Sequence, residues 1–218
     1  VGAEELAMDA WGIDCTLTAS QKALGAPPGL AVLCFSTGAL ERVRTRRTKV
    51  ASLYLDALEW LPIMQAYQER RPAYFATPAV NLVTALDASL GLLVAEGMPA
   101  RGRRHAHLSR ALRAGLRGLG LSILAEEAIA SSTITAIYYP DHVDASLVPA
   151  IAAEGVTVAG GLLPALRAKY FRIGHMGSVC ASDVLATIGA IERALASVGA
   201  RVELGSGLAA AQRVLGEK

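Results

Sequence analysis

The sequence predicts an α/β fold followed by a smaller α+β domain, and three features of the chain indicate this division. Two short apolar runs flank a turn rich in glycine and proline between residues 12 and 35. Long segments with apolar residues at helical spacing follow between residues 79 and 119. Beyond Gly120 the pattern changes to short strands that alternate with helices. This order is typical of a compact α+β domain that follows a larger α/β one.

The two apolar runs predict a strand, a sharp bend and a returning strand. The first run ends in Ser20, Gln21 and Lys22, the bend spans Gly25–Gly29, and the second run extends over Leu30–Phe35. This layout places a lysine at the end of a strand. Three roles are possible for this lysine. It could be a solvated surface residue, a point charge that binds phosphate, or an amine that forms a Schiff base because its pKa is lowered by desolvation or by a nearby cation.

The segment after the second run predicts mainly helices. Ser36 provides a cap for a short helix, and the arginine-rich run over residues 42–49 predicts a solvated helix face, since no stacking aromatics interrupt it. Pro62 predicts that the apolar segment Leu53–Tyr67 is not one continuous helix. Two long helices are then predicted, over Ala79–Glu96 and from Ala100 to about Leu119.

The last hundred residues predict the small domain. Strands are expected at Thr133–Tyr139, Gly155–Ala159 and Lys169–Gly174, with helices at Ala145–Ala153 and Asp183–Ser197. We place the domain boundary within the preceding helix, so that residues 1–105 belong to the larger domain and residues 106–218 to the small one.

Composition narrows the class of protein. A chain of 218 residues that is 53% hydrophobic can bury a sizeable core, and a net charge of +2 gives no reason to expect a nucleic-acid or membrane-surface partner. The most apolar helix is interrupted by Asn81 and Asp87 and is too short for a bilayer span. Cys15, Cys34 and Cys180 lack the spacing of metal ligands, so no metal is predicted. We expect Cys15 and Cys34 to be buried thiols in a reducing, intracellular compartment.

Two further sites carry residues that can bind an anion. Tyr74 and Thr77 lie in a loop fixed by Pro72 and Pro78. A tyrosine there is more often a packing aromatic, and a threonine more often a turn residue. Arg172 lies within an apolar strand, where a guanidinium is costly unless it meets an anion. That anion could equally be a structural carboxylate or a ligand.

A resemblance decides among these alternatives. Asp14, the run Ser20–Leu24 and the bend Pro27–Gly29 together resemble the cofactor-lysine segment of class V, fold-type I pyridoxal-phosphate aminotransferases. Within that class the segment is most similar to the alanine–glyoxylate and serine–pyruvate branch. Gln21 stands where cysteine desulfurases tend to carry histidine, which favours a transaminase over a desulfurase. The resemblance implies the C-terminal part of a fold-type I large domain, followed by a small α+β domain. It also implies that Lys22 holds pyridoxal 5'-phosphate as a Schiff base.

The same resemblance assigns the other site residues. It implies that Gln21 helps to hold the cofactor phosphate or contacts the neighbouring subunit. Tyr74 and Thr77 match a pair that reaches the neighbouring subunit's cofactor phosphate, which implies a homodimer with composite active sites. Lys169–Gly174, followed by Gly177, resembles the segment that carries the substrate-binding arginine, so Arg172 is expected to bind the substrate carboxylate.

The implied activity is a ping-pong transfer of an amino group from alanine or serine to glyoxylate or pyruvate. The chain would be the C-terminal portion of a family member, inactive alone, because the aspartate that pairs with the cofactor's pyridine nitrogen would precede Val1. An intracellular location is expected, with the compartment open. Two alternatives stay open: a non-catalytic dimerising scaffold of this fold, or another class V enzyme such as a lyase.

Overall fold

The computed structural model describes residues 1–217 and contains two compact units. The hairpin unit comprises residues 6–91, and the three-stranded unit comprises residues 1–5 together with those from 92 onward. The strands are β1 (Cys15–Ala19), β2 (Ala31–Phe35), β3 (Ile134–Tyr138), β4 (Ala159–Gly160) and β5 (Tyr170–Gly174). The helices are α1 (Thr37–Arg44), α2 (Ala57–Gln68), α3 (Val80–Glu96), α4 (Met98–Gly118), α5 (Leu147–Ala153), α6 (Ala181–Ser197) and α7 (Ser206–Leu215).

The hairpin unit contains the predicted strand, bend and returning strand. β1 and β2 pair antiparallel, from Cys15 opposite Phe35 to Ala19 opposite Ala31. The prediction of buried thiols is wrong, because Cys15 and Cys34 are both exposed. Within residues 1–217, β1 and β2 pair only with each other. A two-stranded sheet of this kind is only marginally stable unless other elements pack on it.

Helix α2 differs from the prediction that Pro62 would interrupt the segment. A short 3₁₀ turn at Leu53–Leu55 precedes the helix, and Asp56 caps it by accepting a hydrogen bond from the Leu58 N–H at 3.0 Å. The helix then runs through Pro62 to Gln68. A proline removes one backbone hydrogen bond, and the cap together with the following turns keeps this helix continuous.

The three-stranded unit has the strand order β3-β5-β4, with all pairs antiparallel and β5 in the centre. The predicted strands and helices are present, although β4 begins at Ala159, where the predicted strand ends. Helix α7 was not predicted. It packs against α4 so closely that a methyl group on Gly207 would lie 2.9 Å from the Gly115 carbonyl oxygen. The core beneath the sheet contains Leu112, Leu116, Ile137, Phe171, Ile188 and Ile191.

Helix α3 begins in the hairpin unit and ends in the three-stranded unit. The predicted domain boundary between residues 105 and 106 concerns a whole family member and stays a prediction. No single helix in residues 1–217 is both long enough and apolar enough to cross a membrane. Helices α3 and α4, which meet at 90°, satisfy the length and composition criteria only when they are counted together.

Candidate functional site

The turn after β1 holds Lys22 through its backbone. The Ser20 N–H donates to the Leu30 carbonyl at 3.0 Å, and the Ala26 N–H donates to the Ser20 carbonyl at 3.0 Å, so the bend is tied across its base. The Ser20 side chain is fully buried and donates to the Pro27 carbonyl at 2.6 Å. Lys22 itself donates its backbone N–H to the Ala19 carbonyl at 3.1 Å. These bonds fix the backbone position from which the lysine side chain extends.

The side chains of Gln21 and Lys22 are exposed. Within the described part of the chain, the Lys22 amine forms no hydrogen bond or ion pair. The next residues turn inward, since Ala23 and Leu24 are buried and the Ser89 hydroxyl donates to the Leu24 carbonyl. The amine is therefore available to a ligand, while the chain on both sides of it is anchored.

The loop between α2 and α3 brings the two predicted hydroxyls together. Tyr74 Oη and Thr77 Oγ1 lie 2.8 Å apart, and Tyr74 is 71% exposed. Phe75 between them packs edge-on against Trp60, with the ring centroids 4.7 Å apart. The Trp60 indole N–H in turn donates to the Tyr54 carbonyl at 2.7 Å. The aromatic contact anchors the loop, so the hydroxyl pair faces solvent as two neutral groups able to donate to an anion.

Arg172 lies in the central strand, with small residues on both sides. Ala136 of β3 and Ala159 of β4 are its register partners. Its Nε–H donates to the Gly160 carbonyl at 2.8 Å. Across residues 1–217, Arg172 has no carboxylate partner, and its two terminal nitrogens make no hydrogen bond. A structural ion pair to Arg172 is thus not present within the described chain, and the outer edge of the guanidinium can donate hydrogen bonds to a ligand carboxylate.

A polar network holds the segment that follows Arg172. The Arg104 guanidinium donates to the Val179 carbonyl at 2.7 Å and to the Gly177 carbonyl at 3.1 Å. It also donates to both carboxylate oxygens of Glu96, at 2.6 and 2.9 Å. Arg101, only 4% exposed, donates to the same carboxylate at 2.8 Å. The hydrogen bonds from Arg104, joined by those from Arg101, lower the pKa of Glu96 to about 2.

Two buried histidines lie near this segment. His105 Nδ1 is 2.8 Å from the Arg101 carbonyl, and the Gly177 N–H donates to His105 Nε2 at 3.1 Å. Both contacts are satisfied by the neutral ring with its proton on Nδ1, and burial lowers the pKa of His105 accordingly. His175 pairs with the Thr135 hydroxyl at 2.8 Å, and burial lowers its pKa to about 4. The neutral rings keep the turn after β5 free of positive charge from histidine.

The structure thus pairs Tyr74 with Thr77 and places Gln21 beside Lys22, all in the hairpin unit, whereas Arg172 lies in the three-stranded unit. Sequence reasoning missed the groups that hold these residues. No residue-type signal identifies the Gly160 carbonyl as an acceptor for Arg172, which lies 12 residues away. Glu96 is shared by Arg101 and Arg104 because the chain bends between α3 and α4, and the sequence pattern does not specify that geometry. Ser20 is the exception, because it follows directly on an apolar strand, and that position is a signal that its side chain could be buried.

Comparisons with known proteins match this chain over most of its length. A family model described as aminotransferase class-V matches residues 1–182. The serine–glyoxylate aminotransferase of Arabidopsis thaliana is 36% identical over 211 residues, which are 95% of this chain and 51% of that relative. The L-aspartate–glyoxylate aminotransferase of Paracoccus denitrificans is 36% identical over 214 residues, covering 97% of this chain and 52% of the relative.

Solved aminotransferase structures match the fold of this chain. The crystal structure of a pyridoxamine–pyruvate aminotransferase from Mesorhizobium loti matches with a TM-score of 0.87 and 32% identity, covering 98% of this chain and 54% of that one. The fold is therefore that of the C-terminal portion of fold-type I aminotransferases. The chain spans about half the length of the relatives that it matches.

Proposed function

This chain belongs to the class-V aminotransferase family. On that basis we propose that it is part of an enzyme that moves an amino group from alanine or serine to glyoxylate or pyruvate. Lys22 would be its cofactor-binding lysine, and Arg172 would bind the substrate carboxylate. The observation that carries this proposal is the position of Arg172 in the central strand of a sheet, where the terminal nitrogens of its guanidinium have no partner among residues 1–217. The proposal concerns the whole protein that contains these residues, since the chain covers about half of its relatives. We do not expect the 218 residues alone to turn over substrate.

The residues of the hairpin unit fit pyridoxal 5'-phosphate, the cofactor of this family. The exposed amine of Lys22, which has no hydrogen-bond or ion-pair partner within residues 1–217, can bind the cofactor aldehyde, and Gln21 precedes Lys22 in the chain. The hydroxyls of Tyr74 and Thr77, 2.8 Å apart, can donate to its phosphate. When bound, the cofactor supplies an electron sink for the charge that develops at the substrate α-carbon.

Arg172 would bind and orient both substrates. Its planar guanidinium matches the two oxygens of a carboxylate, which a lysine ammonium cannot do. Amino acid and oxo acid both carry this group, so the first product must leave Arg172 before the second substrate binds. A shared carboxylate site therefore supports a ping-pong cycle.

Lys22 would move the proton in the chemical step. When it is not bound to the cofactor, the amine of Lys22 would take the proton from the substrate α-carbon as a general base and would later give a proton back as the acid. The tied backbone of the bend restricts where this amine can reach. Precise placement of this kind lowers the barrier to proton transfer because little freedom is lost in the step.

We further propose a homodimer in which Tyr74 and Thr77 serve the neighbouring subunit. The hydroxyl pair is exposed, and the 3₁₀ turn Leu53–Leu55 presents apolar side chains to solvent. Exposed apolar patches of this kind mark interaction surfaces. The two residues would then complete a site whose Lys22 comes from the other copy.

Replacing Lys22 by alanine in the natural, cofactor-loaded protein tests the function. We expect loss of the visible absorption of the bound cofactor and a fall of at least about 10³-fold in amino-group transfer from alanine to glyoxylate, because the nucleophile and general base are both removed. The variant Lys49→Ala, which removes another exposed lysine of the hairpin unit, is the control. Ordinary turnover by Lys22→Ala would contradict the proposed role of Lys22, whereas a cofactor-loaded wild-type protein without amino-group transfer would favour a scaffold role.

Mixed dimers test the composite site. One subunit carries Lys22→Ala, and the other carries Tyr74→Phe with Thr77→Val. If the hydroxyls serve the neighbouring subunit, one of the two sites of each mixed dimer has every group intact. Random reassembly of equal amounts makes about half of the dimers mixed, so the mixture should recover about a quarter of the wild-type activity. Activity no higher than the sum of the separate variants would contradict the exchange of residues between subunits.

A further inference from the structure

The loop that follows β4 fixes the direction of Arg172. Gly160 ends β4, and its carbonyl oxygen accepts the Arg172 Nε–H at 2.8 Å. In the described chain, this is the arginine side chain's one hydrogen bond. Since Nε is fixed, the position of the free terminal nitrogens depends on where the Gly160 carbonyl lies.

Tyr170 holds that loop from the same strand. It lies two residues before Arg172, so the two side chains leave β5 on the same face. Tyr170 is 5% exposed, and its hydroxyl oxygen accepts the backbone N–H groups of Leu162 and Leu163, each at 2.9 Å. One phenol oxygen therefore binds two consecutive amides immediately after the residue pair Gly160 and Gly161.

The tyrosine ring also packs directly on the loop backbone. A methyl group on Gly161 would lie 2.8 Å from Tyr170 Cε1 and 2.5 Å from the Arg167 carbonyl oxygen, so only a glycine fits there. The amide donors of Leu163 and Leu162 lower the pKa of the Tyr170 hydroxyl, and the charge of Arg172 lowers it further.

We propose that Tyr170 is a positioning residue for substrate binding: by fixing residues 161–163 it holds the Gly160 carbonyl, which in turn orients the guanidinium of Arg172. This inference rests on the proposed role of Arg172. Without the phenol oxygen, the two amides must find water, the loop shifts, and the guanidinium loses its fixed direction. The substrate carboxylate is then bound less well in the ground state and the transition state alike, which raises KM and leaves kcat unchanged.

The test is Tyr170→Phe in the natural protein loaded with pyridoxal phosphate, which removes the hydroxyl and keeps the ring. We expect KM to rise about 5- to 30-fold for both alanine and glyoxylate, because both carboxylates use Arg172, with kcat changed less than twofold. The control is Tyr138→Phe, since Tyr138 faces Tyr170 across β3 and β5 and its hydroxyl makes no hydrogen bond within residues 1–217. An unchanged KM in Tyr170→Phe, or a fall in kcat alone, overturns the proposal.

Two further measurements separate this inference from the proposed function. Arg172→Ala should raise KM for both substrates more than Tyr170→Phe does. If Arg172→Ala leaves KM unchanged, both the carboxylate assignment and this inference fail; if only Tyr170→Phe is without effect, the inference alone fails. Hydrogen exchange of the Leu162 and Leu163 amides should accelerate at least tenfold in Tyr170→Phe, and unchanged exchange would overturn the proposed hold on the loop.

Discussion

Replacing Glu96 by glutamine is expected to destabilise the three-stranded unit strongly. The carboxylate accepts hydrogen bonds from Arg101 at 2.8 Å and from Arg104 at 2.6 and 2.9 Å. These bonds lower its pKa from 4.5 to about 2. Because each pKa unit corresponds to about 1.4 kcal/mol, the ionised carboxylate favours the folded state by about 3 kcal/mol. Viewed from the arginines, the same interaction is the negative charge that glutamine removes beside the buried guanidinium of Arg101, and a change of that kind costs about 3 to 5 kcal/mol, which agrees with the first figure and is not added to it.

The pH dependence follows from the direction of the pKa change. Since the folded pKa lies below the unfolded one, the stabilisation is complete above about pH 4.5 and is lost as the pH falls toward 2. The difference in free energy of unfolding between wild type and Glu96→Gln should therefore be about 3 kcal/mol at pH 7 and should shrink below pH 4.5.

Urea unfolding followed by far-ultraviolet circular dichroism at several pH values measures this difference. The control is Glu41→Gln, because Glu41 pairs with Arg44 at 3.5 Å while the side chains are 63% and 47% exposed. An exposed pair of this kind contributes at most about 0.5 kcal/mol. If Glu96→Gln were as stable as Glu41→Gln at pH 7, the network would not stabilise the fold as argued.

Three further predictions concern binding and stability. Arg172→Lys should raise KM for alanine at least about tenfold with a smaller effect on kcat, because an ammonium cannot replace the two-pronged guanidinium; an unchanged KM in steady-state assays would exclude Arg172 from carboxylate binding. Burial lowers the pKa of His175 from 6.5 to about 4, so the folded state should lose up to about 3 kcal/mol as the pH falls from 6.5 to 4, and His175→Gln should remove that dependence in urea titrations. Leu112→Ala should lower the free energy of unfolding by about 2 to 5 kcal/mol, measured in the same way at pH 7, because the side chain is 1% exposed in the core.

Much of the fold could be predicted from the sequence because its signals are local. Alternating and helical spacing of apolar residues identified β3, β5 and α6, and Ser36 was recognised as a cap, which accepts a hydrogen bond from the Ala39 N–H at 3.0 Å. Helix α7 is not predicted from the sequence because Gly205 and Gly207, two residues apart, are typical of a turn. Gly207 instead lies in the helix, where a methyl group would meet Leu119 at 2.7 Å, so its function is close packing of helices.

The candidate site was less predictable because its support comes from distant backbone atoms. The sequence left Arg172 open between a structural carboxylate and a ligand. The choice depends on the Gly160 carbonyl, which belongs to another strand 12 residues away. A backbone acceptor has no residue-type signature, so only the folded register of β4 and β5 shows that the arginine is held by a carbonyl and, within residues 1–217, by no carboxylate.

The two ends of β5 are held by different means, and together they explain why the strand can present a free guanidinium. At its beginning, Tyr170 fixes the loop that binds the Arg172 Nε–H. Just beyond its end, the His105 ring accepts the Gly177 N–H. An arginine whose strand is fixed at both ends loses little further freedom when a carboxylate binds, so more of the interaction energy is available as affinity. Loosening either end should therefore weaken binding of every carboxylate substrate by a similar factor, whatever its side chain.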